Sequence, residues 1–341
     1  MNPVFLGADI ACQTIALAAL TERSVDTLAS IANTPEGFAQ LQQGLHHRYP
    51  DLAAEHVHVC LEPTGGYEEA FCLWAHAQGW QVHLPNPKHV RDWAKGCGQR
   101  AKTDRIDARL LVRYLVERRP PLWHPVEATV SELDSLLERK RDLEQMLQQE
   151  KNRQQLLARR PRIAGAVHAN VGQVLSSLAQ ALEQIEQAIQ AHLQQHASLR
   201  EQARQLRTVP GVGAKNVLPL LITLSRFAAL TQGQGTAKSL TAYAGLDPTT
   251  LESGSSVRGP HGISRLGNRR LRQQLYMGAL GGTRGNNGLR RFYERLVSRG
   301  KAKKAALVAA AHKILTWSWA VFRTQTDFDA TKNALQPAKA S

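Results

Sequence analysis

Four carboxylates have the types and spacing that could do chemistry together. Asp9 follows the apolar run Val4-Phe5-Leu6-Gly7-Ala8, and Glu62 follows a second run, Val57-His58-Val59-Cys60-Leu61. Asp104 and Asp107 stand three apart in Lys102-Thr103-Asp104-Arg105-Ile106-Asp107-Ala108, which reads as the first turns of a helix with Thr103 as N-cap. That spacing puts both acids on one helical face. Like charges so close repel unless a proton or a cation lies between them. Carboxylate oxygens alone suit magnesium, and paired ions of that kind polarise a phosphate and steady its attacking and leaving oxygens. Taken alone, Asp104 and Asp107 are better read as solvated acids favoured by the helix dipole; the acids that end the two strands shift that reading.

The elements that must position these acids are legible. Val4 to Ile10 reads as a buried strand, Thr14 to Leu20 as its neighbour after a tight turn, and Val25 to Ala32 as a third strand of an antiparallel meander. Thr34 as N-cap and Pro35 at the first helical position open a helix. His56 to Glu62 is a further strand, with His56 and His58 read as structural. Pro63-Thr64-Gly65-Gly66-Tyr67 turns into a helix through Ala77, and Trp80 to Leu84 is a fifth strand. Strands followed by alternating helix and strand predict an α/β layered domain. Acids at the carboxyl ends of its core strands fall at the sheet rim, where such folds place their sites.

The formal net charge is +15. Between Arg258 and Lys304 thirteen Arg or Lys face a single acid, Glu294. A merely solvated surface intersperses both signs, so a polyanionic partner is expected, nucleic acid before membrane. The scattered cysteines Cys12, Cys60, Cys72 and Cys97 read as buried free thiols of a reducing compartment. The start of the chain has no export pattern, and a cytoplasmic, nucleoid-associated protein is expected. Ala305 to Phe322, with His312 and Lys313 near its centre, reads as a packed helix rather than a membrane span.

Beyond Pro120, Pro121 and Pro125 the texture changes to long Gln- and Glu-rich helix. Leu133, Leu136, Leu143, Leu147 and Leu157 lie on a heptad frame that Arg159-Arg160-Pro161-Arg162 breaks. Val171, Leu175, Leu178, Leu182, Ile185 and Ile189 then alternate steps of four and three, the spacing of a coiled-coil seam. A helical hairpin that also dimerises is expected. Pro210-Gly211-Val212-Gly213, followed by Lys215, matches a helix-hairpin-helix turn whose amides could approach a phosphate; an ordinary interhelix turn explains it as well. Downstream, Ser253, Ser255 and Ser256 lie in a Ser-Gly loop, followed by Arg258, Arg265, Asn268, Arg269, Arg270 and Arg272. Such a loop is either a linker or holds a serine able to attack a phosphodiester while arginines grip the phosphate. No general base adjoins it in sequence. Tyr243, Tyr276, Phe292 and Tyr293 read as core rather than as platforms for bases.

Gly7-Ala8-Asp9, Glu62-Pro63-Thr64-Gly65 and the Lys102–Ala108 stretch resemble the acidic signature of DEDD-type transposases of the insertion sequence 110 family, the bridge-RNA-guided recombinases. Pro210-Gly211-Val212-Gly213, Gly245-Leu246-Asp247-Pro248, Ser253-Gly254 and Ile263 to Asn268 resemble that family's carboxy-terminal transposase domain. The resemblance implies a RuvC-like (RNase H-like) domain over 1–125, a coiled coil over 126–207, and a mostly helical transposase domain with the serine loop over 208–325. Residues 326–341 are expected to be a flexible tail. It further implies Mg2+ held by Asp9, Glu62, Asp104 and Asp107. Ser253 is the best match to the family's nucleophile, with Ser255 and Ser256 left open. The implied partners are donor and target DNA, a structured non-coding guide (bridge) RNA, and further copies of the chain as a dimer or tetramer, with an active site that subunits could share. Lys102, Arg105, Lys215, Arg258, Arg265, Asn268, Arg269, Arg270 and Arg272 are the candidate nucleic-acid contacts; with a guide RNA reading sequence, the protein needs mainly backbone and shape contacts. The rival within the same fold is a Holliday-junction resolvase or RNase H-like nuclease using activated water. A non-catalytic nucleic-acid scaffold is the rival of another class.

Overall fold

The computed structural model describes residues 3–20, 24–98, 104–249, 252–253, 257–258, 262–264 and 266–331, with the backbone alone described for 104–106, 249, 252–253 and 257–258. The chain divides into two compact units. The first comprises Met1–Pro125 with Ala229–Gly233, and the second Val126–Ala228 with Gln234–Ser341.

In the first unit the strands β1 (Val4–Ile10), β2 (Thr14–Leu20), β3 (Val25–Thr27), β4 (Ile31–Ala32), β5 (Val57–Leu61) and β6 (Gln81–His83) form one mixed sheet. Its order is β3-β2-β1-β5-β6, with β4 also on β2. The helices α1 (Pro35–Arg48), α2 (Glu69–Ala77), α3 (Pro87–Gly96) and α4 (Asp104–Arg118) complete the expected α/β layers. β1 pairs antiparallel with β2 and parallel with β5. The expected third strand is broken in two: β3 pairs with the Leu20 end of β2 and β4 with its Thr14 end. Thr34 caps α1 by accepting from the Gly37 amide at 3.3 Å, ahead of Pro35, as the sequence predicts.

Alternation along the strands sorts the two faces. Leu6, Ala8, Ile10, Val57, Val59 and Leu61 pack with Phe38, Leu41 and Phe71 of α1 and α2. On the opposite face Cys60 packs with Val90 and Trp93 of α3 and with Leu111, Tyr114 and Leu115 of α4. Ala108, Leu111, Val112 and Leu115 of α4 are all buried. Each of the Leu and Val side chains there contributes about 1.5–3 kcal/mol by leaving water. All four cysteines are free, but only Cys60 and Cys72 are buried, so the expectation of four buried thiols holds for two. Cys12 lies in the β1–β2 turn and Cys97 caps the C-terminus of α3, where elements end at the surface.

The second unit is mostly helical: α5 (Ala128–Leu157), α6 (Gly165–Gln195), α7 (Ala197–Leu206), α8 (Val217–Leu230), α9 (Ala237–Ala244), α10 (Arg269–Gly282), α11 (Gly288–Ser298) and α12 (Lys303–Thr324). Between α9 and α10 run the two-residue strands β7 (Pro248–Thr249), β8 (Glu252–Ser253), β9 (Val257–Arg258) and β10 (Gly262–Ile263). α5 and α6 pack side by side as an antiparallel hairpin, tied by Lys140 to Glu186 at 2.8 Å. Of the α6 seam, Val171 and Ile189 are buried and Leu175, Leu178, Leu182 and Ile185 half-buried, so the heptad residues are the ones that turn inward.

α12 is long and apolar enough to cross a membrane by length and composition. Its Ala306, Ala310, Ile314, Leu315 and Trp317 are instead buried in the core of this unit, as a packed helix. At the start of the expected tail, Asp327 pairs with Arg204 at 2.6 Å, and the ring of Phe328 lies 4.9 Å from that of Trp317. Residues 332–341 lie outside the described part.

Candidate active site and nucleic-acid interface

Ala8 lies opposite Leu61 in the parallel β1–β5 ladder, so Asp9, still paired with Ala16 of β2, and Glu62, just past β5, lie beside one another at the carboxyl ends of the central strands. Asp9 shares the strand face of Phe5 and Gly7, and Glu62 that of His58 and Cys60, which is the face α4 covers. Gly7 explains how closely α4 is seated. A Cβ there would lie 2.0 Å from the Ala108 carbonyl oxygen and 2.9 Å from Val112 Cγ2. The helix backbone therefore rests directly on the strand, and only glycine permits it.

Asp107 immediately precedes Ala108, and Asp9 is two residues past Gly7. Asp9, Glu62 and Asp107 thus belong to one sheet-helix junction. Asp104 begins α4, one turn before Ala108; its side chain, like Thr103 as a cap, lies outside the described residues. Among the described residues Asp9, Glu62 and Asp107 do not close to a three-ligand cluster of 4.8 Å; the group that does lies in the second unit. A donor set made only of carboxylate oxygens fits a hard divalent cation.

The rim is stitched by side chains that the sequence reading did not single out. Glu68 Oε2 accepts from the Thr64 amide (3.1 Å), the Thr64 hydroxyl (3.0 Å) and the Gly66 amide (2.9 Å). It thereby folds the Pro63–Gly66 turn directly behind Glu62, with Gly65 and Gly66 at φ +83 and +113. Asn33 Nδ2 donates to the carbonyls of Ala11 (3.1 Å) and Tyr67 (3.0 Å), joining the turn after Asp9 to the loop after Glu62. The glycine pair with an acid two residues on was the available signal for Glu68; nothing local marked Asn33.

Behind the same face, His83 Nδ1 donates to the Pro120 carbonyl at 2.7 Å, which leaves Nε2 to accept from His58 Nδ1 at 3.2 Å. Burial holds both imidazoles below their ordinary pKa. Their role is structural, as expected for His58. His56 lies in the turn before β5 rather than along the strand.

In the second unit β8 and β9 pair antiparallel, with Ser253 opposite Val257. The backbone puts Ser253 at the entrance to the connection; its side chain, Ser255, Ser256 and the side chain of Arg258 lie outside the described residues, as do Arg265, Lys102 and the side chain of Arg105. The base of this loop is rigidly built. Ser264 Oγ donates to the Asp247 carboxylate and the Ser264 amide to the Asp247 carbonyl at 3.0 Å. Arg272 Nη1 donates to the carbonyls of Ala244 (3.0 Å) and Gly267 (2.7 Å).

Two of the candidate contacts also hold the local structure. Arg272 is half-buried and braces the loop from inside, and Asn268 uses its Oδ1 to cap α10 through the amides of Arg270 and Leu271. Arg269, Arg270 and Lys215 are exposed and remain available to an anion. The Pro210–Gly213 turn also has an internal explanation. A Cβ on Gly211, at φ +94, would meet Ile314 Cδ1 at 2.4 Å, and the Gly213 amide already donates to Asn216 Oδ1 at 2.7 Å. Tyr276, Phe292 and Tyr293 pack against the core, whereas Tyr243 is 37% exposed.

Comparison with known proteins decides what this assembly of parts is. Residues 6–159 match the DEDD transposase family of the IS110 type, and residues 203–294 match the transposase IS116/IS110/IS902 family. The chain belongs to the IS110 transposase family. Pilin gene-inverting proteins of Moraxella lacunata and Moraxella bovis are each 30% identical over 330 residues, 96% of this chain and 98% of theirs. An uncharacterized 43.6 kDa protein of insertion element IS110 from Streptomyces coelicolor is 30% identical over 160 residues, 46% of this chain and 38% of its own. Among solved structures, T. thermophilus RuvC in complex with a Holliday junction substrate matches 33% of this chain and 90% of its own at 14% identity and a TM-score of 0.23, a likeness too weak to carry an argument. As an IS110 transposase the protein is a DNA-acting enzyme that cleaves and rejoins strands, with the divalent-metal dependence of DEDD nucleases.

Proposed function

We propose that this IS110 transposase is an RNA-guided recombinase that exchanges donor and target DNA through a covalent phosphoserine. The observation that carries this reading is the junction where Asp9 and Glu62, at adjacent strand ends, face the helix that bears Asp104 and Asp107. In this reading the first unit is a RuvC-like domain, α5 and α6 form the coiled coil, and the turn before α8 serves as a helix-hairpin-helix element. Asp9, Glu62, Asp104 and Asp107 hold Mg2+, which when bound neutralises charge on the scissile phosphate and its leaving oxygen. Arg258, Arg265, Arg269 and Arg270, with Lys102, Arg105 and Lys215, hold the phosphodiester backbone.

Ser253 supplies the nucleophile. Its Oγ forms the bond to phosphorus as it gives up its proton, while the bond to one deoxyribose oxygen breaks and that oxygen leaves as a hydroxyl. Attack on the phosphoserine by the hydroxyl of the exchanged strand reverses the step and frees the serine. One phosphoester bond is made for each one broken, so no ATP is consumed. A structured bridge RNA chooses donor and target by pairing, and the protein contributes backbone contacts. Because acids and serine belong to different units, the reading also allows a site shared between copies in a dimer or tetramer.

The test is adduct trapping with guide RNA, donor and target. Wild-type protein should give a DNA–protein species that survives denaturing electrophoresis. Ser253→Ala should abolish it while RNA binding persists, and Asp104→Ala should abolish cleavage where the exposed-face change Glu138→Ala does not. Adducts that persist in Ser253→Ala and vanish in Ser255→Ala or Ser256→Ala would move the nucleophile. Metal-dependent cleavage without any adduct would favour the resolvase or nuclease that uses activated water.

A further inference from the structure

Glu132, His192 and His196 bring one ligand atom each to within 4.8 Å of one another, far in sequence from the acids at the sheet rim. Glu132 lies in the first turns of α5, His192 in the last turn of α6, and His196 at the break between α6 and α7, with φ −113 and ψ 86. The antiparallel hairpin is what brings them together: its two helices are joined at one end, and this cluster sits at the other.

The state of His192 is set by its surroundings. Nε2 lies 2.8 Å from the Thr129 carbonyl oxygen, so it carries the proton and donates. That leaves the Nδ1 lone pair free, 3.7 Å from Glu132 Oε2. A histidine whose one ring N–H is fixed by a backbone carbonyl presents its other nitrogen as a ligand, the arrangement that orients histidines around metals. The side chain of His192 is 9% exposed and that of Glu132 is 63% exposed. One ligand is therefore held rigidly and another is free to swing. The His192 and His196 rings have centroids 4.4 Å apart.

We propose that Glu132, His192 and His196 form a transition-metal site, of the kind zinc occupies, that clasps the open end of the α5–α6 hairpin. Two imidazoles and one carboxylate are a zinc-type donor set, quite unlike the all-oxygen set at the sheet rim. Zinc holds such ligands at about 2.0–2.2 Å. Ligand atoms within 4.8 Å of one another reach that distance with inward movements of less than roughly an ångström, and Glu132 is free to make them. A water completes the fourth position. The clasp ties the start of α5 to the junction with α7, whose Leu199, Ala203 and Leu206 are buried in the core of the second unit.

The experiment uses tag-free, full-length protein titrated with Co2+ and then with Zn2+ in competition with a chromophoric chelator. Wild-type protein should develop the intense visible absorption of tetrahedral Co2+, lose it on adding Zn2+, and unfold at a higher temperature with Zn2+ present. Glu132→Gln, a nearly isosteric change at an exposed side chain, should weaken Zn2+ binding more than about tenfold and remove the thermal shift. His196→Ala should do the same. Asp9→Asn should leave the Co2+ spectrum intact, which separates this site from the rim acids. Absence of a tetrahedral spectrum, or equal Zn2+ affinity in wild type, Glu132→Gln and His196→Ala, would overturn the proposal.

Discussion

Gly7 fixes the junction of the acids more tightly than any of the acids themselves. Alanine there puts a methyl group 2.0 Å from a carbonyl oxygen of α4, so the helix must lift from the sheet. We expect Gly7→Ala to lose strand cleavage and about 1–3 kcal/mol or more of stability, the usual cost of overpacking, measured by nuclease assay and urea unfolding. Among the basic residues, direction matters more than charge. Arg269→Ala with Arg270→Ala should weaken DNA binding across sequences and flatten its salt dependence by about two units of slope. Arg272→Ala should lower the melting temperature instead, since its guanidinium is committed to the Ala244 and Gly267 carbonyls. The type Arg was visible in the sequence, but the direction in which it points was not. Asp9 and Glu62 were legible because a charge that ends an apolar run has few structural reasons to be there.

At the scale of elements, periodicity carried far. The strands of the sheet, the capped start of α1 and the inward seam of α6 follow from apolar spacing and cap chemistry. What spacing hid was anything set by a distant partner. The split of the third strand depends on where β2 offers pairing, and the meeting of Glu132 with His192 depends on how the hairpin folds back. That Gly211 also packs against Ile314 is not visible in its turn; Gly211→Ala should destabilise the second unit through both its left-handed backbone and the overlap, visible as a lower unfolding midpoint. The His58–His83 pair between β5 and β6 gives the first unit a pH dependence. Both pKa values are lowered on folding, so below about pH 6.5 the unfolded chain takes up protons first. Stability should fall with pH from there until the folded state also protonates. His83→Gln should flatten that slope in urea melts between pH 7 and 5.

For the whole molecule, charge is the dominant fact. The net +15, with most of its surplus between Arg258 and Lys304, makes binding to nucleic acid depend on counterion release. A protein contacting six to ten phosphates loses roughly 10^3- to 10^5-fold in affinity between 50 and 200 mM salt. We expect a loss of that order for this chain on a non-cognate duplex, read by fluorescence anisotropy. Under the proposed guidance by RNA, sequence choice should then show itself only when that RNA is added.

Residues 229–233 fold with the first unit although the chain on both sides of them belongs to the second, and Gln232 is hydrogen-bonded to His124 at 2.6 Å. A polypeptide ending at Pro125 would therefore lack a small part of its own body, carried by the other fragment. Two halves made from separate genes and cut at that point should therefore bind one another on mixing, and Gln232→Ala should weaken that binding.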